Sequence, residues 1–161
     1  RCGVIASYEF SGKDGDKAPR LMFEDRGMVI PDLDVCTRSG RRFWNEVKTY
    51  ARAVHNRALG CDVHGMPSRL LTEYQEVARA TSTPAAISVL EVWSGALLWQ
   101  WLEVLLPHVD RCRCGCATGA TCKAPIKRGV YWPRSLMIHR HTFGGAEMAE
   151  IRGRWPERKA G

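Results

Sequence analysis

The chain has 161 residues, 45% hydrophobic and 25% charged, with a formal net charge of +7. That length suffices for a buried core without disulfide staples, and the composition argues against disorder or a fibrous repeat. No run of about 18 apolar residues exists, which excludes a helical membrane span, and residues 1–11 lack the apolar stretch of a signal peptide.

In chain order, the opening to about Arg26 is polar and shows no periodicity. Residues 28–35 predict a strand and 41–51 a second, with Thr37-Arg38-Ser39-Gly40 supplying the chemistry of a hairpin loop. From 67 to 81 the period changes: Leu70, Leu71, Tyr74, Val77, Ala78 and Thr81 recur at helical spacing. Ser82-Thr83-Pro84 stops that helix, and 85–92 is a short apolar run that reads as a buried strand. Residues 95–106 predict a second helix, with Leu97, Leu98, Trp101, Leu102 and Leu105 on one side; Trp93, Trp99 and Trp101 read as core. Residues 129–138 predict a last strand, interrupted by Pro133, and the basic tail 144–161 is expected to fray. This order predicts one mixed α/β domain over 1–161, with a Cys-rich insertion at 108–125.

The chemistry concentrates on the first hairpin. Strand side chains alternate, so Asp32 and Asp34 share one face, as do Glu46 and Lys48 on the partner strand. A tight turn near Ser39 sets Asp32 opposite Glu46, with Cβ atoms about 4.5–5.5 Å apart. Carboxylates that close repel unless one takes a proton or both share a cation. Mg²⁺ suits one or two carboxylates completed by phosphate and water, and Mn²⁺ serves alike. Such an ion activates water and polarises phosphate, and a lysine beside it stabilises the charge that develops. Those are the parts of a phosphodiester hydrolase.

Pro31-Asp32, followed by Glu46-Val47-Lys48 with an apolar strand around each half, resembles the signature of the PD-(D/E)XK nuclease superfamily. The resemblance implies a restriction-endonuclease-like fold, a mixed central sheet flanked by helices. Thr72-Glu73-Tyr74-Gln75 and Ala86-Ile87-Ser88-Val89-Leu90 look like its next core helix and strand, and Val130-Tyr131-Trp132-Pro133 like the last core strand of small phage-type and virus-type members. It implies a Mg²⁺- or Mn²⁺-dependent nuclease on DNA, most naturally an endonuclease. Asp32 and Glu46 would hold the metal, with the Val47 carbonyl and Asp34 as further ligands. Lys48 would assist the attacking water and Gln75 orient it, with Tyr74 a weaker candidate. The extra acidic residue that members often carry on an earlier helix has only Glu9, Glu24 and Asp25 as upstream candidates here, so one- and two-metal mechanisms both remain open. A resolvase-like, often homodimeric nuclease for branched DNA is the alternative within this family. A non-catalytic nucleic-acid-binding protein on a decayed nuclease fold is the alternative outside it.

Cys112, Cys114, Cys116 and Cys122 offer four thiolates within eleven residues, a set that could hold structural zinc, or an iron–sulfur cluster, or remain as thiols. Cys2, Cys36 and Cys61 read as bystanders. His139-x-His141 could be a metal pair but reads better as a solvated strand end, and His55 and His64 flank a loop. Arg38, Arg41, Arg42 and Arg52, with Lys123, Lys127 and Arg128, are candidates for phosphate contacts. Clustered cysteines without a secretory signal point to a reducing, cytoplasmic setting.

Overall fold

The computed structural model describes residues 5–10, 20–23, 26–57, 59–111 and 129–154. The Cys112–Cys122 cluster, Lys123, Lys127 and Arg128 lie outside the described residues. The strands are β1 (Ile5–Phe10), β2 (Arg20–Phe23), β3 (Arg26–Val29), β4 (Leu33–Thr37), β5 (Arg42–Tyr50), β6 (Val54–Asn56), β7 (Cys61–Pro67), β8 (Ala85–Glu91), β9 (Ala96–Trp101), β10 (Asp110–Arg111), β11 (Gly129–Pro133) and β12 (Ile138–Thr142). The helices are α1 (Ser68–Thr81), α2 (Leu102–Leu105) and α3 (Gly145–Arg154), with 3₁₀ turns at Leu106–His108 and Arg134–Leu136.

Six strands form the main sheet in the order β1-β4-β5-β8-β9-β12. The β5–β8 pair is parallel and the other neighbours are antiparallel, so the sheet is mixed. β7, β11, β10 and β6 make a four-stranded sheet, and β2–β3 a separate ribbon. The chain leaves β5, builds β6 and β7, and returns through α1 to place β8 beside β5; a parallel neighbour requires such a crossover. The protein is a mixed α/β fold with helices packed against a mixed central sheet.

One face of the main sheet carries the principal core. Ile87, Val89 and Leu98 from the sheet meet Leu71 and Tyr74 of α1, Met66, Val130 and Trp132 of the second sheet, and Leu102 and Leu105 of α2. Burying each large apolar side chain of this set contributes about 1.5–3 kcal/mol. The opposite face carries a smaller cluster, in which Val35, Phe43 and Ala86 are covered partly by Leu33, Trp99 and Trp101. Both outer strands are irregular: the register slips between Ile5 and Ser7 on β1 and between His139 and His141 on β12.

Several elements depart from the sequence-based expectations. The polar opening contributes two strands, β1 and β2. The strand expected over 28–35 splits at Ile30-Pro31-Asp32, because a proline has no N–H for a ladder and a fixed φ. Its first half pairs with β2, while its second half joins the main sheet. The helix expected over 95–106 is β9 for its first six residues. There the alternation is period two, with Ala96, Leu98 and Gln100 buried on one face and Leu97, Trp99 and Trp101 half-buried on the other. Pro133 ends β11, and β12 belongs to the other sheet, so the last expected strand is also two. Residues 130–133, which resemble a last core strand of the family, fall in β11 of the four-stranded sheet. Within the segment expected to fray, residues 145–154 form α3: Met148 is buried, and Gly144 N–H is capped by Glu147 at 2.8 Å.

Candidate active site

The β4–β5 hairpin turns at residues 38–41, where Gly40 takes a φ of 79° and donates its N–H to the Thr37 carbonyl at 3.0 Å. A left-handed φ is easily taken by glycine, and it sets the two-strand register. Leu33 pairs with Asn45 and Asp34 with Trp44, so Asp32, one residue before β4, comes to Glu46. Two hydrogen bonds lock that meeting. Asp32 N–H donates to Glu46 Oε2 at 3.3 Å, and Val47 N–H donates to Asp32 Oδ2 at 2.9 Å.

β5 is central in its sheet, and Glu46 is only 2% exposed. An uncompensated carboxylate there would be costly. The Lys48 ammonium pairs with Glu46 Oε1, and the Tyr74 hydroxyl of α1 hydrogen-bonds the same side chain. The Glu46 carboxyl is nevertheless raised above the usual carboxylate range: burial is the largest cause, the neighbouring Asp32 charge adds to it, and Lys48 and Tyr74 work against it. Tyr74 and Tyr50 are pushed up in turn, first by burial and then by the Glu46 charge. The site is therefore a pocket of negative charge held by one lysine and one phenol.

Not every candidate gathers there. Asp34 lies two cross-strand pairs nearer the turn, where Arg42 forms an ion pair with it. Asp34 is thus engaged by a cation of its own hairpin, and Arg42 is directed to Asp34. Gln75 does not join Glu46 either. Successive helical residues point about 100° apart, so with Tyr74 turned to the sheet, Gln75 lines a cavity of about 200 Å³ with Ala78, Arg79, Ala85 and Leu102. Tyr74, the weaker candidate, is the α1 residue at the site. Arg38 and Arg41 are exposed at the hairpin turn, and Arg41 is five residues from Glu46, roughly 16 Å along a strand. Arg52 lies over the Trp93 ring at 4.9 Å. Glu9 stands on β1 in register with Asp34, on a strand the polar opening concealed.

A second polar cluster was not anticipated. His64 is 2% exposed on β7, stacks on Tyr50, and meets Glu91 Oε1 at 3.0 Å. Arg134 grips the same carboxylate with two hydrogen bonds of 2.6 and 2.8 Å, and Ser94 adds a third at 3.1 Å. Those bonds hold Glu91 down to about 2, whereas burial pushes the His64 imidazole down. His64 is thus a structural tie between the two sheets, while His55 is exposed beside Asp62. His139 and His141 are exposed on β12, and Cys36 and Cys61 are half-buried thiols.

Among the described residues, no three His, Cys, Asp or Glu side chains gather as a cage. Asp32 and Glu46 form a pair, which suits Mg²⁺, an ion that keeps waters and is held by one or two carboxylates plus substrate phosphate. Among the same residues, no helix is long and apolar enough to cross a membrane.

Comparison with known proteins yields no matching family model and no matching curated protein. Among solved structures, the chain is similar to Hjc, a Holliday junction resolvase from the archaeal hyperthermophile Archaeoglobus fulgidus, at 10% identity and a TM-score of 0.44. That alignment covers 83% of this chain and 82% of the resolvase.

Proposed function

We infer that the chain is a metal-dependent nuclease that hydrolyses DNA phosphodiester bonds, acting as an endonuclease. The observation that carries the reading is the buried Glu46 on a central strand, joined to Asp32 by hydrogen bonds and balanced by Lys48. An incidental surface ion pair would lie exposed and contribute little. Here the fold buries Glu46 beside the half-buried Asp32, at the desolvation cost of doing so, an arrangement that functional sites use.

Asp32 and Glu46 would hold the ion, with the Val47 carbonyl beside them. When bound, Mg²⁺ or Mn²⁺ supplies Lewis acidity toward the phosphate and a water of lowered pKa. Tyr74 fixes the Glu46 carboxylate from the helix side, and the Asp32 carboxylate is aimed by the Val47 N–H. Lys48 is within reach of a phosphate seated at the two carboxylates, where its ammonium stabilises charge on the phosphate oxygens and orients the attacking water. The net charge of +7 favours a polyanion and assists its approach.

The test is plasmid DNA incubated with Mg²⁺ or Mn²⁺ and wild type, Glu46→Ala, Lys48→Ala or Asp34→Asn. Cleavage falling at least about 100-fold in the first two variants, and less than threefold in Asp34→Asn, is the expected pattern. Equal cleavage by wild type and Glu46→Ala, or none by wild type on any DNA form, overturns the reading.

A further inference from the structure

Trp93 is 66% exposed, although hydrophobicity alone would fold a ring of that size inward. It sits on the turn joining β8 to β9, and that turn is pinned from several sides. Trp93 N–H donates to the Ala51 carbonyl at 3.0 Å, and Gly95 N–H to the Glu91 carbonyl at 2.8 Å. The Gly95 carbonyl accepts from Phe143 N–H at 3.0 Å, and Arg152 donates to the Val92 carbonyl at 2.7 Å. Gly95 has a φ of 70°, and a side chain there would meet Phe143 O at 2.6 Å. The ring is therefore presented to solvent by a rigid turn. Arg52 stands over it, 4.9 Å from the ring centroid. A flat π surface held in water, with a guanidinium beside it, is what a nucleobase stacks on.

Its position adds to the case. Trp93 is bonded to Ala51, one residue past the end of β5 and five residues beyond Glu46. At about 3.3 Å per residue that is roughly 16 Å, or about five base steps of 3.4 Å. Intact duplex DNA keeps its base faces stacked internally and offers none to such a ring, whereas a single strand or a splayed end does.

We propose that Trp93, flanked by Arg52, is a stacking platform for an unpaired DNA base within about five nucleotides of the phosphate at Asp32 and Glu46. The platform makes the protein prefer single-stranded or splayed DNA to intact duplex. Its distance from the scissile phosphate rests on the nuclease reading above; the stacking itself does not.

The test measures binding in EDTA, without turnover, by fluorescence anisotropy of a labelled 20-nucleotide single strand and its blunt duplex. Wild type, Trp93→Ala, Trp93→Phe and Arg52→Ala are compared, with thermal melts confirming that each variant folds. The same strand carrying 2-aminopurine reports stacking directly through quenching. Trp93→Ala is expected to weaken single-strand binding roughly tenfold, to leave duplex binding within twofold, and to abolish the 2-aminopurine quench; Trp93→Phe retains most of both. Equal losses on both DNA forms, unchanged quenching in Trp93→Ala, or no single-strand binding by wild type overturns the platform. A protein that binds and quenches as expected but never cuts DNA refutes the nuclease reading alone. One that cuts normally while Trp93→Ala binds and quenches like wild type refutes the platform alone.

Discussion

Replacing Lys48 with methionine keeps the aliphatic stem and removes the ammonium that balances Glu46. Breaking a buried pair by deleting one partner costs about 3–5 kcal/mol. The Lys48 side chain is 25% exposed, and water reaching it reduces that figure, so about 2–3 kcal/mol is expected. For a chain of this length that lowers Tm by roughly 5–10 °C. The loss depends on pH with a definite sign. Glu46 has a folded-state pKa above its unfolded value of 4.5, so between the two the folded state binds more protons and stability falls as pH rises. Without Lys48 that window widens upward. The variant's deficit is therefore smaller at pH 5 than at pH 8. Melting curves at both pH values, by circular dichroism without divalent cations, measure it. Glu46→Gln in the same chain should restore most of the lost stability by removing the stranded charge. A deficit equal at both pH values, or no rescue by Glu46→Gln, would refute the view of Lys48 as the counter-charge of a buried carboxylate.

The Glu91 cluster predicts acid sensitivity of the opposite sign. With Glu91 held near 2 when folded against 4.5 when unfolded, its contribution is present above 4.5 and lost as pH falls toward 2. His64, lowered from 6.5, adds a loss that begins below that value, because the unfolded chain takes the proton first. Glu91→Gln should lower Tm at pH 7 and flatten the decline below pH 4.5, as an acid titration of Tm would show; an unchanged acid slope would contradict it. Gly95→Ala meets the Phe143 carbonyl at 2.6 Å and a φ of 70°. It should destabilise by at least about 1–3 kcal/mol, with urea denaturation as the measurement and a wild-type midpoint as the contrary result.

The hairpin was legible because its residues are local. Asp32, Glu46 and Lys48 lie within one turn-connected pair of strands, so alternation and turn chemistry are enough to bring them together. α1 and β8 were legible for the same reason, each having one clear period. β9 misled because both its faces are apolar: Leu97, Leu98 and Trp101 join Leu102 and Leu105 of α2 in a helical template, while the backbone over Ala96–Trp101 is extended. β6 and β7, interrupted by Gly60, Gly65 and Pro67, carry no strand pattern, yet Gly65 is where the Tyr131 ring packs against the backbone. The fates of Asp34 and Gln75 depended on partners that spacing does not disclose. Arg42 was free to be read as a DNA contact, and only the rotation of α1 decides whether Tyr74 or Gln75 faces the sheet. The union of Glu91 with Arg134, 43 residues apart, is invisible to any local pattern.

The slipped registers on β1 and β12 bear on how copies of the chain could meet. An outer strand with an even ladder of N–H and C=O groups invites a strand from another molecule, whereas a bulge twists that ladder out of line. On β12 the slip comes with His139, Arg140 and His141, all exposed. Both margins of the main sheet therefore resist growth, and the sheet stays six strands wide in a concentrated solution. Pairing of two copies would have to proceed through side chains on a face, leaving the margins as borders.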